Sequence, residues 1–251
     1  MALRKIAGLL IIVFLFSCNS NSKEIIKGKA ASPFVSALIN IITKSREPLS
    51  EIEKNLLEVG LHDVASLDST IVVDLKYATT DNFMGMNLYG KLKKAFLQKD
   101  VAEKLVEAQK YLKEINSEFS IIVYDAARPK SIQQKMWDTL KITSKEKLKF
   151  VAFPNYGSLH NYGAAVDVSI VDKNQNPLDM GCDFDNMTEL ASSVNEDELL
   201  KAGKLNNEQI KNRKLLRKVM NHAGFWNIQN EWWHFNACKL EVAKGKYKLI
   251  K

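Results

Sequence analysis

Two short segments of the chain carry residue types that bind metal ions. "SLHNYGAAVDV" contains His160 and Asp167, and "EWWH" contains Glu231 and His234. A catalytic zinc takes three protein ligands from imidazoles and carboxylates and leaves one position to water, whose pKa then falls to about 7. Two histidines and one aspartate form such a set, and Glu231 is then a candidate general base for that water.

The spacing within each segment makes specific demands on the backbone. Gly163 permits a tight turn between His160 and the segment that carries Asp167, so that both side chains can reach one ion. Positions three apart on an ideal strand point to opposite faces, which predicts that Glu231 lies in a bend just before the strand of His234. Each pattern alone also fits structural residues, with "EWWH" as an aromatic core strand and a hydrogen-bonded histidine.

Periodic segments predict the elements that position these residues. "STIVVDLKYAT" and "FSIIVYDAARP" read as strands, the second ending at Pro129. "DVAEKLVEAQKYLKEI" and "SIQQKMWDTLKI" read as helices, with Ser131 capping the second. "AAVDVSIVD" alternates with period two, which predicts a strand with one face in the core and the other carrying Asp167 into a cleft.

The remaining elements complete the fold prediction. A basic helix spans about residues 206 to 222, and "NEWWHFN" reads as a last strand. Helices and strands without a regular βαβ rhythm predict an α+β fold, with a mostly antiparallel central sheet flanked by helices in a single catalytic domain.

The N-terminus predicts export. "MALRK" precedes a charge-free apolar run that ends at Cys18, too short to span a bilayer and typical of a signal peptide over residues 1–17. The residues "LFSC" resemble a bacterial lipoprotein signal, in which Cys18 becomes lipidated; an ordinary secretory signal is the alternative. We therefore expect a tether over residues 18–55, a catalytic domain over 56–251, and an exported protein that is periplasmic or membrane-anchored.

Charge and cysteine content exclude other classes. The formal net charge is +7, and its densest cluster is Lys211, Arg213, Lys214, Arg217 and Lys218. Interleaved apolar residues predict an amphipathic helix whose charges form a solvated face, so nucleic-acid binding is not expected, and no obligate protein partner is evident. Cys182 and Cys238 are too few for a disulfide scaffold, and one bridge between them is left open.

The two metal-binding segments together resemble a known family. "SLHNYGAAVDVSI" followed by "EWWHF", with "DLKYATTDNFMG" and "MGCDFDNM", resembles the zinc D-alanyl-D-alanine dipeptidases of the hedgehog-like D-Ala-D-Ala peptidase group over about residues 60–240. The resemblance implies one Zn²⁺ per chain, with His160, Asp167 and His234 as ligands. It also implies that Glu231 is the catalytic acid and base.

The resemblance assigns a catalytic role to Arg128 in "YDAARP", which would stabilise the oxyanion formed at the peptide carbonyl. The alternative is an arginine that pairs with Asp125 for stability. Ala126 and Ala127 stand where the vancomycin-resistance members have a glycine and a bulky aromatic, and Leu159 replaces a serine. These differences concern the shape of the substrate pocket.

The resemblance also implies substrate-binding residues. Asp185 would bind the free ammonium of a dipeptide, with Asp183 as a weaker candidate, because a charged group buried without a partner is costly. Tyr77 and Tyr89 would enclose the pocket, or lie in the core with buried hydroxyls. Ser158 would contact substrate or support its loop.

The function implied by this resemblance is hydrolysis of D-Ala-D-Ala to two D-alanines by metal-activated water. The expected partners are this small D-amino-acid dipeptide and, through Cys18, a membrane. One alternative is a D,D- or L,D-carboxypeptidase of peptidoglycan stem peptides, which would lack the amine anchor. A second is a non-catalytic zinc-containing module that binds the cell wall. Physiological role and oligomeric state stay open.

Overall fold

The computed structural model describes residues 49–148 and 151–251, and Leu49–Lys251 forms one compact unit. The predicted signal peptide, Cys18 and the tether as far as residue 48 lie outside the described residues. The last part of the predicted tether contributes to a helix, Glu51–Glu58, which Ser50 and Glu53 begin with a reciprocal capping box.

The strands are short and belong to two sheets. In chain order they are β1 (His62–Asp63), β2 (Val72–Val73), β3 (Phe96–Leu97), β4 (Ser120–Asp125), β5 (Ala165–Val171), β6 (Trp226–Asn227) and β7 (His234–Asn236). Among the described residues, β1 pairs with β3, and the central sheet has the order β2-β4-β5-β7-β6. Only the β2–β4 pairing in that sheet is parallel, which confirms the predicted α+β fold with a mostly antiparallel sheet.

Helices surround this sheet. They are α1 (Glu51–Glu58), α2 (Val64–Leu67), α3 (Lys99–Ile115), α4 (Lys130–Thr139), α5 (Ser144–Lys147), α6 (Glu196–Lys201), α7 (Asn207–His222) and α8 (Leu240–Lys246). Helix α3 buries Val101, Leu105, Ala108 and Leu112 and contacts both β4 and α7. Each fully buried leucine of this stripe stabilises the fold by about 1.5–3 kcal/mol relative to an exposed one. None of the helices in the described ranges is long and apolar enough to cross a bilayer.

Two local predictions differ from the structure. Ser131 does not cap α4, because Pro129 occupies the N-cap position and Ser131 lies within the first turn. Strand β5 agrees with its prediction, since Val166 lies in the core and Asp167 lines a cavity, although the whole strand has little exposed surface.

Arg213 also departs from the prediction of a solvated basic face. Its guanidinium is buried and donates to the carbonyl oxygens of Met180, Ser192 and Leu190, so this cation ties α7 to the loop that precedes α6. The other basic residues of the cluster are partly or fully exposed.

The C-terminal tail joins the segment that follows β4 to the turn that precedes β5. The Ile250 amide donates to the Asn161 carbonyl at 2.9 Å, and the Lys130 amide donates to the Ile250 carbonyl at 2.8 Å. Asn161 Nδ2 in turn donates to the carbonyl of Arg128 at 2.8 Å. The segment after β4 and the turn before β5 are therefore fixed relative to each other.

Candidate metal centre and active site

Strand pairing brings two of the three predicted ligands face to face. Asp167 on β5 and His234 on β7 are direct partners in the antiparallel register. His160 lies in a 3₁₀ turn, Leu159–Tyr162, that leads into β5 and ends at Gly163. Residues distant in sequence thus converge beside the paired strands β5 and β7.

Gly163 has two structural reasons to be glycine. Its φ of 63° lies in the left-handed region, as expected for the tight turn between His160 and Asp167. A Cβ at this position would also come within 2.8 Å of Leu61 Cδ2 and 3.2 Å of the Gln98 backbone nitrogen. The turn that carries His160 therefore packs directly against β3 and the start of α3.

The donor atoms of the three side chains are close together. His160 Nε2 lies 3.1 Å from His234 Nδ1 and 3.4 Å from Asp167 Oδ1, and His234 Nδ1 lies 2.9 Å from Asp167 Oδ1. Neighbouring acceptors orient both rings through their other nitrogens, at 2.7 Å to the Ala126 carbonyl for His160 and 2.9 Å to Asn236 Oδ1 for His234. A histidine that donates its second N–H in this way presents an unprotonated nitrogen to a metal.

This donor set fits a metal ion. His160 and Asp167 are buried, His234 is nearly so, and one ligand atom from each lies within 4.8 Å of the others. Burial alone would raise the pKa of Asp167, but the adjacent His160 and His234 hold it below its ordinary value, so the carboxylate is ionised. Two imidazoles and a carboxylate are the composition of a catalytic zinc site with one open position.

Glu231 lies beside this cluster, in the turn that precedes β7, as predicted. Its Oε2 is 3.8 Å from His234 Nδ1. Burial raises the pKa of Glu231, and the charge of Asp167 adds to that effect. A carboxyl group with a raised pKa can both accept and return a proton near neutral pH, which is what a general base and acid requires.

Arg128 forms the ion pair with Asp125 that one interpretation predicts, and it also lies close to Asp167. Its Nε donates to Asp125 Oδ2 at 2.9 Å, so the stabilising ion pair is present, and its Nη2 lies 3.9 Å from Asp167 Oδ2. The guanidinium carbon lies 5.0 Å from the ring centre of Tyr77, within cation–π range. The Arg128 guanidinium is thus held rigidly, with one edge facing the cluster formed by His160, Asp167 and His234.

These residues line a cavity of about 260 Å³, which we call the catalytic cavity. Its polar lining comprises Tyr77, Arg128, Ser158, His160, Asp167, Asp185, Asn230, Glu231 and His234. Its apolar lining comprises Leu148, Val151, Ala152, Met187, Ile228 and Trp233. The volume suits a small substrate, and the mixture of apolar wall and converging polar groups is typical of an enzyme site.

Asp185 stands on one wall of the catalytic cavity. Its Oδ1 accepts from Tyr77 Oη at 3.0 Å and its Oδ2 accepts from the Phe83 amide at 3.4 Å. Burial, with a contribution from the charge of Asp167, raises the pKa of Asp185 to about 8. Its φ of 62° places it in the left-handed region, which aspartate tolerates better than most residues.

The remaining predicted residues occupy different positions. Ser158 lines the catalytic cavity, but its hydroxyl also accepts from the His160 amide at 3.2 Å and so begins the ligand-bearing turn. Tyr89 does not line the cavity, so the first interpretation of this residue is wrong and the alternative of a core tyrosine with a buried hydroxyl holds; its hydroxyl donates to Asp125 Oδ1 at 2.6 Å. Cys182 and Cys238 are free thiols, and Asp183 is exposed outside the cavity.

Sequence reasoning missed two supporting residues. Asp125 was considered only as a partner of Arg128, whereas its Oδ1 also accepts hydrogen bonds from the Tyr89 hydroxyl and the Ala126 amide. Asn236, which orients His234, had a usable signal, because residues two apart on a strand share a face.

Comparison with known proteins agrees with this geometry. A family model described as D-ala-D-ala dipeptidase matches residues 57–249. A D-alanyl-D-alanine dipeptidase of Escherichia coli is 31% identical over 175 residues, covering 70% of this chain and 83% of the relative. One from Enterococcus faecalis is 29% identical over 179 residues, covering 64% and 83%, and one from Synechocystis is 30% identical over 173 residues, covering 56% and 68%. The chain is a peptidase that belongs to the D-Ala-D-Ala dipeptidase family.

Proposed function

We propose that this protein is a zinc-dependent dipeptidase that hydrolyses free D-Ala-D-Ala to two D-alanines. One zinc ion per chain would be held by His160 Nε2, Asp167 Oδ1 and His234 Nδ1. The observation that carries the proposal is the convergence of these three donors beside Glu231, on the wall of a small cavity that also contains a buried carboxylate.

Zinc supplies acidification of a coordinated water and polarisation of the peptide carbonyl. Glu231 Oε2 takes a proton as the water oxygen adds to the carbonyl carbon, and it delivers that proton to the nitrogen of the departing D-alanine as the C–N bond breaks. The raised pKa of Glu231, caused by its burial, suits a group that must both accept and return this proton.

Arg128 stabilises the oxygen that becomes negative when water adds to the carbonyl. Its guanidinium is fixed by Asp125, so it needs little rearrangement as charge develops, and a preorganised cation is the most effective kind of stabilisation. The Asp125 contact and the catalytic role are therefore parts of one arrangement.

Asp185 binds the free ammonium of the dipeptide. The protein groups around this buried carboxylate compensate its negative charge poorly, as its raised pKa indicates. A substrate ammonium would supply the missing compensation. This residue distinguishes the dipeptidase from a D,D- or L,D-carboxypeptidase, whose substrates have no ammonium at this position.

The test is hydrolysis of D-Ala-D-Ala, L-Ala-L-Ala and a stem pentapeptide by purified zinc-loaded protein. We expect turnover of D-Ala-D-Ala above the other two. Glu231→Gln should lower kcat by about 10²–10⁴-fold with zinc content unchanged, whereas Glu208→Gln, an exposed carboxylate of α7, should have no effect. Full activity of the Glu231→Gln protein would contradict the mechanism.

A second comparison separates the alternatives. Asp185→Ala should weaken dipeptide hydrolysis far more than pentapeptide hydrolysis. Unchanged preference for the dipeptide would show that Asp185 is not the amine anchor. Faster hydrolysis of the pentapeptide than of the dipeptide by the unmodified protein would favour the carboxypeptidase, and zinc binding without turnover of any peptide would favour a wall-binding module.

We also propose that the protein is exported and anchored by a lipid at Cys18, so that it acts on dipeptide in the cell envelope. The support is the basic start and short apolar run of residues 1–17, followed by "LFSC". Cys18→Ala should abolish palmitate labelling and release the protein from the membrane fraction; retained labelling would refute the anchor.

A further inference from the structure

A second cavity, of about 640 Å³, shares a wall with the catalytic cavity. In each of four segments, one residue lines the second cavity and a residue one or two positions away lines the catalytic cavity. The pairs are named here in that order. The pairs are Lys76 and Tyr77, Phe184 and Asp185, Trp232 and Trp233, and Ser169 and Asp167 on β5. The same four segments therefore form a partition that lines both cavities.

The ring of Phe184 belongs to this partition, since it lines the second cavity and packs against residues that line the catalytic cavity. Its centroid lies 5.3 Å from Tyr124, 5.4 Å from Trp233 and 6.0 Å from Tyr77. Phe184 also directly precedes Asp185, whose carboxylate binds the substrate amine in the proposed function. A peptide that continued beyond that amine would meet the Phe184 ring before it reached the second cavity.

Two buried side chains that line the second cavity have weakly satisfied polar groups. Both are at most 3% exposed; within the described residues Trp232 Nε1 has no hydrogen bond of acceptable geometry, and Ser169 Oγ has a weak contact with the Tyr124 hydroxyl. The thiol of Cys182 lies near the Trp232 indole, but sulfur is a weak acceptor. Buried polar groups in folded proteins nearly always have a partner, so these two are suited to a ligand with carbonyl and amide groups.

A peptide backbone offers those groups at every residue. A carbonyl oxygen would accept from Trp232 Nε1, and Ser169 can either donate or accept. At the rim, Lys76 is already paired with Asp74 and Asp81 and faces the ring of Tyr124. The cavity is thus more polar than the core around it and larger than the dipeptide site.

We propose that Phe184 is the residue that restricts this enzyme to dipeptides. Its ring separates the catalytic cavity from the second cavity, which would otherwise serve as a subsite for the N-terminal extension of longer peptides ending in D-Ala-D-Ala. The proposal rests on the proposed dipeptidase function. Removing the Phe184 ring would join the two cavities, and the amide that replaces the ammonium would still donate to Asp185.

The test compares kcat/KM for D-Ala-D-Ala and for the tripeptide L-Lys-D-Ala-D-Ala in the zinc-loaded protein. Phe184→Ala should raise the ratio of tripeptide to dipeptide activity by at least about tenfold. Phe184→Leu, which keeps apolar packing in the loop, should raise it less. Phe119→Ala is the matched control, because Phe119 is a partly buried phenylalanine at the start of β4 and lines neither cavity.

A third variant tests the subsite itself. Adding Trp232→Phe to the Phe184→Ala protein should lower the ratio of tripeptide to dipeptide activity, because only the extension reaches Nε1. If folded Phe184 variants cleave the dipeptide but show no gain on the tripeptide, the restricting role of Phe184 is refuted and the proposed dipeptidase function still stands. Failure of the unmodified protein to cleave the dipeptide would overturn the proposed function as well.

Discussion

Tyr89 Oη donates a hydrogen bond of 2.6 Å to Asp125 Oδ1, while the other oxygen of the same carboxylate holds Arg128. Tyr89 is buried and does not touch the catalytic cavity. Its hydroxyl therefore acts on the site only by fixing the carboxylate that positions the Arg128 guanidinium.

Tyr89→Phe should lower kcat by up to about tenfold and the free energy of unfolding by about 1–2 kcal/mol, because Asp125 Oδ1 keeps only the Ala126 amide as a donor. Steady-state kinetics and urea unfolding measure the two effects. Tyr247→Phe removes a comparable hydroxyl that donates to the partly exposed Asp100, and it should leave kcat unchanged. Equal kinetics in both variants would exclude a positioning role for Tyr89.

Arg128→Lys should lower kcat by about 10²–10³-fold with a smaller effect on KM, since an ammonium cannot hold Asp125 and face the developing oxyanion at once. The matched control is Arg217→Lys, which alters the two-bond pair between Arg217 on α7 and Glu196 on α6. That control should retain normal kinetics. A kcat of Arg128→Lys close to that of the unmodified enzyme would mean that Arg128 is only structural.

Gly163→Ala tests the turn that carries His160. The left-handed φ and the 2.8 Å approach to Leu61 together should lower the free energy of unfolding by about 2–4 kcal/mol. Gly203→Ala has a similar φ of 69° with no atom within 4 Å of its Cβ, so it should cost only about 1–2 kcal/mol. Zinc affinity should fall in the first variant alone, and equal losses of stability would argue against the close packing.

Asp185 should make the metal-free protein less stable as pH rises. Its pKa is about 8 in the folded chain because of burial, against an ordinary value of 3.8, so between these values the folded state binds one more proton than the unfolded state. Stability therefore falls with rising pH across this window. As the pH rises from about 5 to about 9, the free energy of unfolding should fall less in the Asp185→Asn protein than in the unmodified chain, by at least about 1 kcal/mol. Parallel pH profiles in chelator-treated samples would refute the assignment.

The three proposed metal ligands were singled out because few residue types bind zinc, because the chain has only four histidines, and because both segments resemble the dipeptidase signature. The period-two pattern around Asp167 located β5, and the strand at His234 followed from its aromatic neighbours. The face-to-face register of Asp167 and His234 was not predictable, since pairing of distant strands depends on the whole sheet.

Other features depend on tertiary packing and left no clear sequence signal. The pattern around Arg213 matches an exposed amphipathic face, but three carbonyl oxygens from distant loops compensate its burial. The position of Tyr89 behind Asp125 likewise arises from a contact between residues 36 positions apart. Short strands such as β6 are too brief for periodicity to reveal.

The account depends most on a single zinc position defined by three atoms. Anomalous diffraction at the zinc absorption edge, on crystals of the zinc-loaded protein, measures that position directly. We expect one peak per chain at about 2.0–2.2 Å from His160 Nε2, Asp167 Oδ1 and His234 Nδ1, with Glu231 outside bonding distance. A peak elsewhere in the chain, or no peak in protein that hydrolyses D-Ala-D-Ala, would contradict the account.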